Sequence, residues 1–280
     1  MITNDQITTC QGSALFRGSS IIMLPPHLLL SPYISNYTIT CPLGMDWEQS
    51  VMPTASTTLV YSIGASDIIG GLRGVNTVPC NIGGYAAQIP LLILVEFHPA
   101  GLYPFVRHNQ HELLDRSVLF EDLSTVIDRQ IKEALLRYNT ITELTEALDD
   151  IFLSHLDPDR INDTLTFAMN EIIRNKGMIK GQELADLACY SERHLNRLFR
   201  QHIGTGIKTF SRIMRLKYVL DLLGDQAIPA AGILEQTGYY DPSHFVRDFR
   251  EIVGMTPGEY RARMSVFYND PFKLNGYNNQ

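Results

Sequence analysis

The sequence predicts an α+β, multidomain chain: a strand-rich barrel or sandwich, a two-helix segment, then an all-α tandem helix-turn-helix domain. Three observations predict it. Residues 14–120 carry short apolar runs bounded by Gly and Pro clusters, the pattern of many short strands. From Leu119 the apolar residues recur at helical spacing instead. Further on, Leu195, Arg197, Phe199, Arg200 and Gly204 are matched fifty residues later by Phe245, Arg247, Phe249, Arg250 and Gly254, so one structural unit is used twice.

The strand region is read from runs such as Thr58–Ile63 and Leu91–Phe97, set between Pro25-Pro26, Gly70-Gly71, Gly83-Gly84 and Pro99-Ala100-Gly101. Periodicity does not choose between barrel and sandwich. Two helices follow, about 122–137 and 141–155, split at Asn139-Thr140. Their apolar residues are Val126, Ile127, Ile131 and Leu135, then Leu144, Leu148, Ile151 and Phe152. Two such stripes are more than one small barrel is expected to cover. The segment is therefore read either as the interface of a homodimer or as a cap on the strand domain. Asp157-Pro158-Asp159 makes a linker. The expected organisation is a strand-rich domain over 1–120, a helical segment and linker over 121–160, a helix-turn-helix domain over 161–264, and a tail over 265–280.

Length and composition fit this division. A chain of 280 residues suits roughly two domains, and 45% hydrophobic with 19% charged residues excludes wholesale disorder. No apolar run approaches the ~18 residues needed to span a bilayer; the longest, from Ile89 to Val95, stops at Glu96. The N-terminus has Asp5 and no basic residue before Arg17, so no secretory signal is expected. Cysteines 10, 41, 80 and 189 form no Cys-x-x-Cys pair, which fits a reduced, cytoplasmic setting.

The net charge of −7 conceals an uneven distribution. Residues 1–160 hold 8 Lys and Arg against 17 Asp and Glu, whereas 161–280 hold 15 against 13. Within the second part, residues 174–217 hold 10 basic against 3 acidic residues. A local basic focus of this kind suits a nucleic-acid partner.

Both copies of the repeat read alike. In the first, Leu184-Ala185 opens a short helix, Cys189-Tyr190-Ser191 turns the chain, and Ser191 caps a longer helix. At 100° per residue its inner face collects Leu195, Leu198, Phe199, His202 and Ile203. Arg193, Arg197 and Arg200 lie opposite, with Asn196 at the edge. In the second, Gly238-Tyr239-Tyr240 turns, Asp241 caps and Pro242 takes the first helical position. Phe245, Phe249, Ile252 and Val253 face inward; Ser243, Arg247 and Arg250 face outward, with Val246 at the edge. A helix, a tight turn and a second helix with a cationic outer face form a helix-turn-helix, whose second helix enters a major groove. The candidate DNA-binding residues are therefore Arg193, Asn196, Arg197, Arg200, Ser243, Val246, Arg247 and Arg250. A helix over about 207–223, with Phe210, Ile213, Leu216, Leu220 and Leu223 on one side, joins the units. At ~1.5 Å per residue it spans roughly 26 Å, a rod able to hold two reading helices in successive grooves.

The stretch Gly238-Tyr239-x-Asp241-x-Ser243-His244-Phe245-x-Arg247-x-Phe249-Arg250-x-x-x-Gly254-x-Thr256-Pro257-x-x-Tyr260-Arg261 resembles the signature of the AraC/XylS family of bacterial transcription regulators. Ser191-x-Arg193-x-Leu195-x-Arg197-x-Phe199 and Arg215-Leu216 resemble it too, and the likeness covers about 163–264. Two departures stand out. Leu234 replaces the usual Ala, which widens packing in the second unit, and Gly206-Ile207 replaces the usual Ser/Thr-Pro, which weakens the start of the joining helix.

Residues 97–105, Phe97-His98-Pro99-Ala100-Gly101-Leu102-Tyr103-Pro104-Phe105, with Glu112-Leu113-Leu114-Asp115 after them, resemble the cupin-like N-terminal domain of some AraC-type regulators. That likeness implies a small-molecule effector and a homodimer. Trp47, Tyr61, Arg73 and Tyr103 are candidates for a pocket lining, against an ordinary place in the core. His98, His108, His111 and Glu112 are metal-ligand types within fifteen residues, but His108-x-x-His111-Glu112 is not the His-x-His spacing of cupin enzymes, and adjacent strand residues face opposite ways. No metal or cofactor is expected. No phosphate loop, Gly-x-Ser-x-Gly or His-Glu-x-x-His occurs.

The resulting expectation is a cytoplasmic transcription regulator, not an enzyme, with double-stranded DNA as partner, a small-molecule effector, RNA polymerase as a candidate partner and no membrane. The alternatives are a metal-dependent cupin enzyme with a DNA-binding appendage, and a DNA-binding dimer without effector.

Overall fold

The computed structural model describes residues 2–10, 14–43, 50–51, 53–81, 86–224, 230–239 and 241–263. Trp47, Gly83-Gly84, Tyr240 and the 265–280 tail lie outside the described residues.

The N-terminal part is built on one antiparallel sheet of seven strands, in the order β1-β2-β3-β8-β5-β6-β9. Its strands are β1 (Phe16–Arg17), β2 (Ile21–Leu24), β3 (Ile34–Thr40), β5 (Thr58–Ile63), β6 (Ile68–Arg73), β8 (Leu91–Phe97) and β9 (Ser117–Leu119). A separate ribbon pairs β4 (Ser50–Val51) with β7 (Cys80–Asn81). The two runs read from sequence are β5 and β8, and they lie side by side, with Tyr61 opposite Ile93. β8 also pairs with β3, so the late strand enters the middle of the sheet. One face of these central strands is fully buried through Tyr37, Ile39, Leu59, Tyr61, Ile93 and Val95.

The helices that follow cover that core. After the short α1 (Asn4–Thr9), α2 spans Thr125–Arg137 and α3 spans Ile141–His155. Ser124 Oγ accepts from the Ile127 N–H, and Thr140 Oγ1 accepts from the Glu143 N–H. Each cap sits where the sequence changes from loop to apolar spacing. Ile127, Ile131 and Ala134 of α2, with Ile141, Leu144, Leu148 and Phe152 of α3, join the same core cluster as the sheet. Full burial of a Leu, Ile or Phe side chain is worth about 1.5–3 kcal/mol, so most of both stripes packs inside the chain. What this segment leaves for a partner is the exposed apolar surface of α2. Val126 and Leu136 are α2 apolar side chains that stay exposed.

Two tyrosines pin these helices to the sheet. Tyr61 donates to Asp128 of α2 at 3.0 Å, and Tyr37 donates to Asp149 of α3 at 2.9 Å. Burial, then the neighbouring carboxylate, pushes both phenols far above their ordinary range. Asp128 also takes an ion pair from Lys132 at 2.7 Å, which keeps its buried charge compensated.

The second part is all helical: α4 (Asp163–Arg174), α5 (Gly181–Leu187), α6 (Glu192–His202), α7 (Ile207–Gly224), α8 (Ala230–Thr237), α9 (Pro242–Val253) and α10 (Pro257–Arg263). It holds two cores. One gathers α4–α6 with Ile207, Phe210, Ile213 and Met214 of α7. The other gathers α8–α10 with Leu216, Val219, Leu220 and Leu223 of the same helix. The joining helix thus gives its first half to one unit and its second half to the other. Leu234, the larger residue in place of Ala, is partly buried at the rim of the second core. No described helix is long and apolar enough to cross a membrane.

Candidate nucleic-acid interface

Each unit builds the same local geometry from different residues. In the first, Cys189 at φ +55° turns the chain between α5 and α6, and Ser191 Oγ accepts from the His194 N–H at 3.2 Å. In the second, Gly238 at φ +68° turns it between α8 and α9, and Asp241 Oδ1 accepts from the Ser243 N–H at 2.9 Å. Both recognition helices end on a glycine in the left-handed region, Gly204 at φ +105° and Gly254 at φ +80°. The repeated glycines are therefore helix terminators, positions where a Cβ is disfavoured.

The faces separate as the spacing requires. Leu195, Leu198, Phe199 and His202 of α6 are buried, as are Phe245, Phe249, Ile252 and Val253 of α9. Arg193, Arg197 and Arg200 on α6, and Ser243, Val246, Arg247 and Arg250 on α9, are exposed. Asn196 is different. It is half-buried, and its Oδ1 accepts from the Ile207 N–H at 3.0 Å, capping the first turn of α7. A Cβ on Gly206 would come within 2.5 Å of that oxygen. The Gly206-Ile207 departure, expected to weaken the joining helix, is compensated by an asparagine supplied from the recognition helix.

The basic stretch is less cationic than its composition. Five of the ten Lys and Arg in 174–217 are engaged within the protein. Arg174 pairs with Glu171 at 2.6 Å, and the Lys176 amine lies 3.9 Å from the Tyr218 ring centre. Arg212 pairs with Asp248 and Glu251, each at 2.5 Å, Arg215 donates to the Gly177 carbonyl at 3.0 Å, and Lys217 is buried. The other five, Lys180, Arg193, Arg197, Arg200 and Lys208, are exposed. Arg212 also neutralises two acids of the second unit, which narrows the charge contrast between the two recognition helices.

The N-terminal part docks on the far end of α6. The Tyr103 ring lies 3.9 Å from the His202 ring, and Gln201 donates to the Tyr103 hydroxyl at 2.9 Å. The His111 Nδ1 lies 2.8 Å from the Gly204 carbonyl oxygen. Beside this seam is a cavity of about 810 Å³, with Tyr33 and His98 from the sheet side, Met169 and Ile173 from α4, and Met214 and Lys217 from α7. Burial, followed by the charge of Lys217, lowers His98 to about 4, and burial lowers His202 to about 4, so both imidazoles are neutral near pH 7. The sequence carried one signal for this cavity: Lys217 occupies the apolar side of α7, between Ile213 and Leu220.

The candidate effector-pocket residues are not brought together. Tyr61 is held by Asp128 in the core, Tyr103 packs tilted against His202 at the seam, and Arg73 lies half-buried at the end of β6. The histidines also disperse: His98 faces the cavity, His108 lies 3.5 Å from Glu112, and His111 meets Gly204. Among the described residues no group of three His, Cys, Asp or Glu is placed to hold a metal.

Residues 184–263 match the family described as a helix-turn-helix domain. The regulator GlxA of Rhizobium meliloti is 40% identical over 80 residues, 29% of this chain and 25% of its own length. The arabinose operon regulatory protein of Escherichia coli is 26% identical over 144 residues, 48% of each chain. The chain thus spans a quarter to a half of the length of these curated relatives. Among solved structures, the C-terminal domain of AraT from Geobacillus stearothermophilus is 24% identical, covering 40% of this chain and 94% of its own, with a TM-score of 0.36. ToxT from Vibrio cholerae is 10% identical, covering 79% of this chain and 96% of its own, with a TM-score of 0.41. With two turn-linked helix pairs and two exposed arginine faces in register fifty residues apart, residues 184–263 match the helix-turn-helix domain family across both units.

Proposed function

We propose that the chain is a cytoplasmic, sequence-specific transcription regulator of the AraC type, and not an enzyme. α6 and α9 read two short boxes in double-stranded DNA, with RNA polymerase as a further partner. The supporting observation is the pair of recognition helices, each buried on one face and presenting exposed arginines on the other. The mobility shift of the full chain on DNA from upstream of its own gene tests this. The expected result is a footprint of two boxes about one helical turn apart. Binding that shows no preference over random duplex overturns it. A homodimer is part of this reading, with the exposed Val126 and Leu136 of α2 as apolar surface for its interface.

The effector reading is placed at the seam. A cavity of about 810 Å³ is of the size that takes a small organic molecule. Its lining sets the apolar Tyr33, Met169, Ile173 and Met214 beside the Lys217 amine, with Asp221 one turn on and further charged side chains from α4. That combination suits an organic anion with an apolar body. A ligand gripping the sheet side and α7 together would couple effector binding to the placement of α6. Small aromatic and aliphatic carboxylates are expected to raise the melting temperature of the wild-type chain and not of Lys217→Met. No shift in either protein rules out this ligand class.

Lys217 also makes a prediction without ligand. Burial lowers its amine from the ordinary 10.5 to about 8, partly offset by Asp221. Between these values the unfolded chain holds more protons, so stability rises with pH across that window and the charged amine is a cost below it. Lys217→Met should stabilise the protein at pH 7 by on the order of 1–3 kcal/mol and flatten the rise above pH 8. Thermal melts from pH 7 to 10 check both; an unchanged slope would show that another group titrates there.

A further inference from the structure

The two units are tied together by more than the shared helix. Gly177, in the turn after α4, sits so close to α7 that a Cβ there would lie 2.0 Å from the Ser211 carbonyl oxygen. From that turn a chain of contacts crosses into the second unit. Arg215 donates to the Gly177 carbonyl at 3.0 Å, and its guanidinium lies 5.6 Å from the Tyr239 ring centre. The Tyr239 hydroxyl donates to Asp248 Oδ2 of the second recognition helix at 2.5 Å. The other oxygen of Asp248 accepts from Arg212 Nε of α7 at 2.5 Å, and Arg212 Nη2 reaches Glu251 one turn further along α9 at 2.5 Å. A parallel strand of contacts runs from Lys176, over the Tyr218 ring, to Gln236 of α8, whose side chain accepts from the Tyr218 hydroxyl at 3.2 Å.

This arrangement restrains α9 in a way that apolar packing alone does not. Phe245, Phe249, Ile252 and Val253 fix which face of α9 is buried, but an apolar face tolerates sliding and rotation of several degrees. A guanidinium fork set on two carboxylates one turn apart, with a tyrosine on the far oxygen of one of them, fixes direction and register. The Asp248 side chain is only 14% exposed, so its bonds are not freely exchanged for water.

We infer that Arg212, Asp248 and Tyr239 are positioning residues that lock the second recognition helix to the joining helix, so that the protein selects DNA by the separation of its two boxes as well as by their sequence. The inference rests on the DNA-reading function proposed above. Each inserted base pair moves the second box by ~3.4 Å and turns it by roughly 34° about the duplex axis, a mismatch that a locked pair of helices cannot follow and a loosened pair can.

The test uses the full chain and two duplexes: the footprinted upstream site, and the same site with one base pair inserted between its boxes. For the wild type, insertion is expected to weaken binding at least about tenfold, of the order of losing one good base contact. Arg212→Gln/Asp248→Asn leaves no unpaired buried charge and should cut that penalty to about threefold or less, while weakening binding to the native spacing. Tyr239→Phe removes one hydroxyl and no charge, so it keeps the test open if the double variant melts early; its penalty should fall between the two. A full wild-type penalty in folded variants, or a wild type indifferent to the insertion, overturns the lock. A wild type without specific binding to its upstream DNA overturns the DNA-reading function itself, and the lock with it.

Discussion

Gly177→Ala should lower the melting temperature of the helical half of the chain by about 8 °C or more. Two costs combine. Gly177 has φ +70°, a left-handed conformation that costs an L-residue about 1–2 kcal/mol. The added Cβ would also stand 2.0 Å from the Ser211 carbonyl oxygen and 2.7 Å from the Arg215 nitrogen, both backbone atoms of α7 that no rotamer change can move aside. Forced overpacking of this kind costs about 1–3 kcal/mol, so the sum is roughly 2–5 kcal/mol. For a domain of about a hundred residues each kcal/mol shifts the midpoint by about 4–8 °C. Gly258→Ala is the control, because nothing lies within 4 Å of a Cβ there, and its position in α10 favours Ala by up to about 1 kcal/mol. Melts followed by far-ultraviolet circular dichroism separate the two. If Gly177→Ala melts within about 2 °C of the wild type, the turn is not packed on α7 as described.

How much of this was legible from residues alone follows from what each signal measures. Apolar spacing measures which face of an element is buried, and it placed α3, α6 and α9 closely because each buries one face, whereas β5 and β8 were legible as apolar runs between Gly and Pro clusters. The fifty-residue repeat was legible for the same reason, since both copies need an inner aromatic pair and a terminating glycine. Charge counting measures composition and not distance. It credited Arg212, Arg215 and Lys217 to a DNA-facing patch, although Arg212 closes on carboxylates 36 and 39 residues away and Lys217 is buried. Asn196 has a structural role that spacing does not show. Its place at the edge of the outer face is right, but the missing Ser/Thr-Pro left the Ile207 N–H to be capped, and the nearest amide oxygen took that role. Most of the α2 and α3 stripes is covered because the sheet presents seven strands, a wider face than a small barrel was expected to offer, while Val126 stays exposed. The seam cavity is formed by residues from distant parts of the sequence, and only Lys217 on the apolar side of α7 hinted at it.

Arg197→Ala and Arg247→Ala should each relax base preference at one position, whereas Arg200→Ala and Arg250→Ala should weaken binding to every sequence alike. All four side chains are exposed on outer faces, so position along the helix decides between them. Recognition helices enter the groove by their N-terminal residues, and Arg197 and Arg247 lie nearer those ends than Arg200 and Arg250, which sit in the last turns of α6 and α9. A bidentate arginine–guanine contact contributes about 1–3 kcal/mol of discrimination, up to roughly a hundredfold. A phosphate contact contributes about 0.9 to the slope of log affinity on log salt and nothing to sequence preference. The internal pairing of Arg212 and Arg215 adds a condition on the slope as a whole. Lys180, Arg193, Arg197, Arg200 and Lys208 remain exposed in the first unit against Arg247 and Arg250 on α9, so scrambling the first box should reduce the slope more than scrambling the second. The difference should be about two to three units rather than the five or more that the raw count of ten cations would give. Helix N-termini and backbone amides also grip phosphates without entering any charge count. Titrations at several salt concentrations, on the intact site and on each half-scrambled site, read all of these quantities at once. Equal loss on specific and random DNA for Arg197→Ala would remove it as a base reader, and equal slopes from the two boxes would mean that backbone amides, and not side-chain cations, carry the contrast between the units.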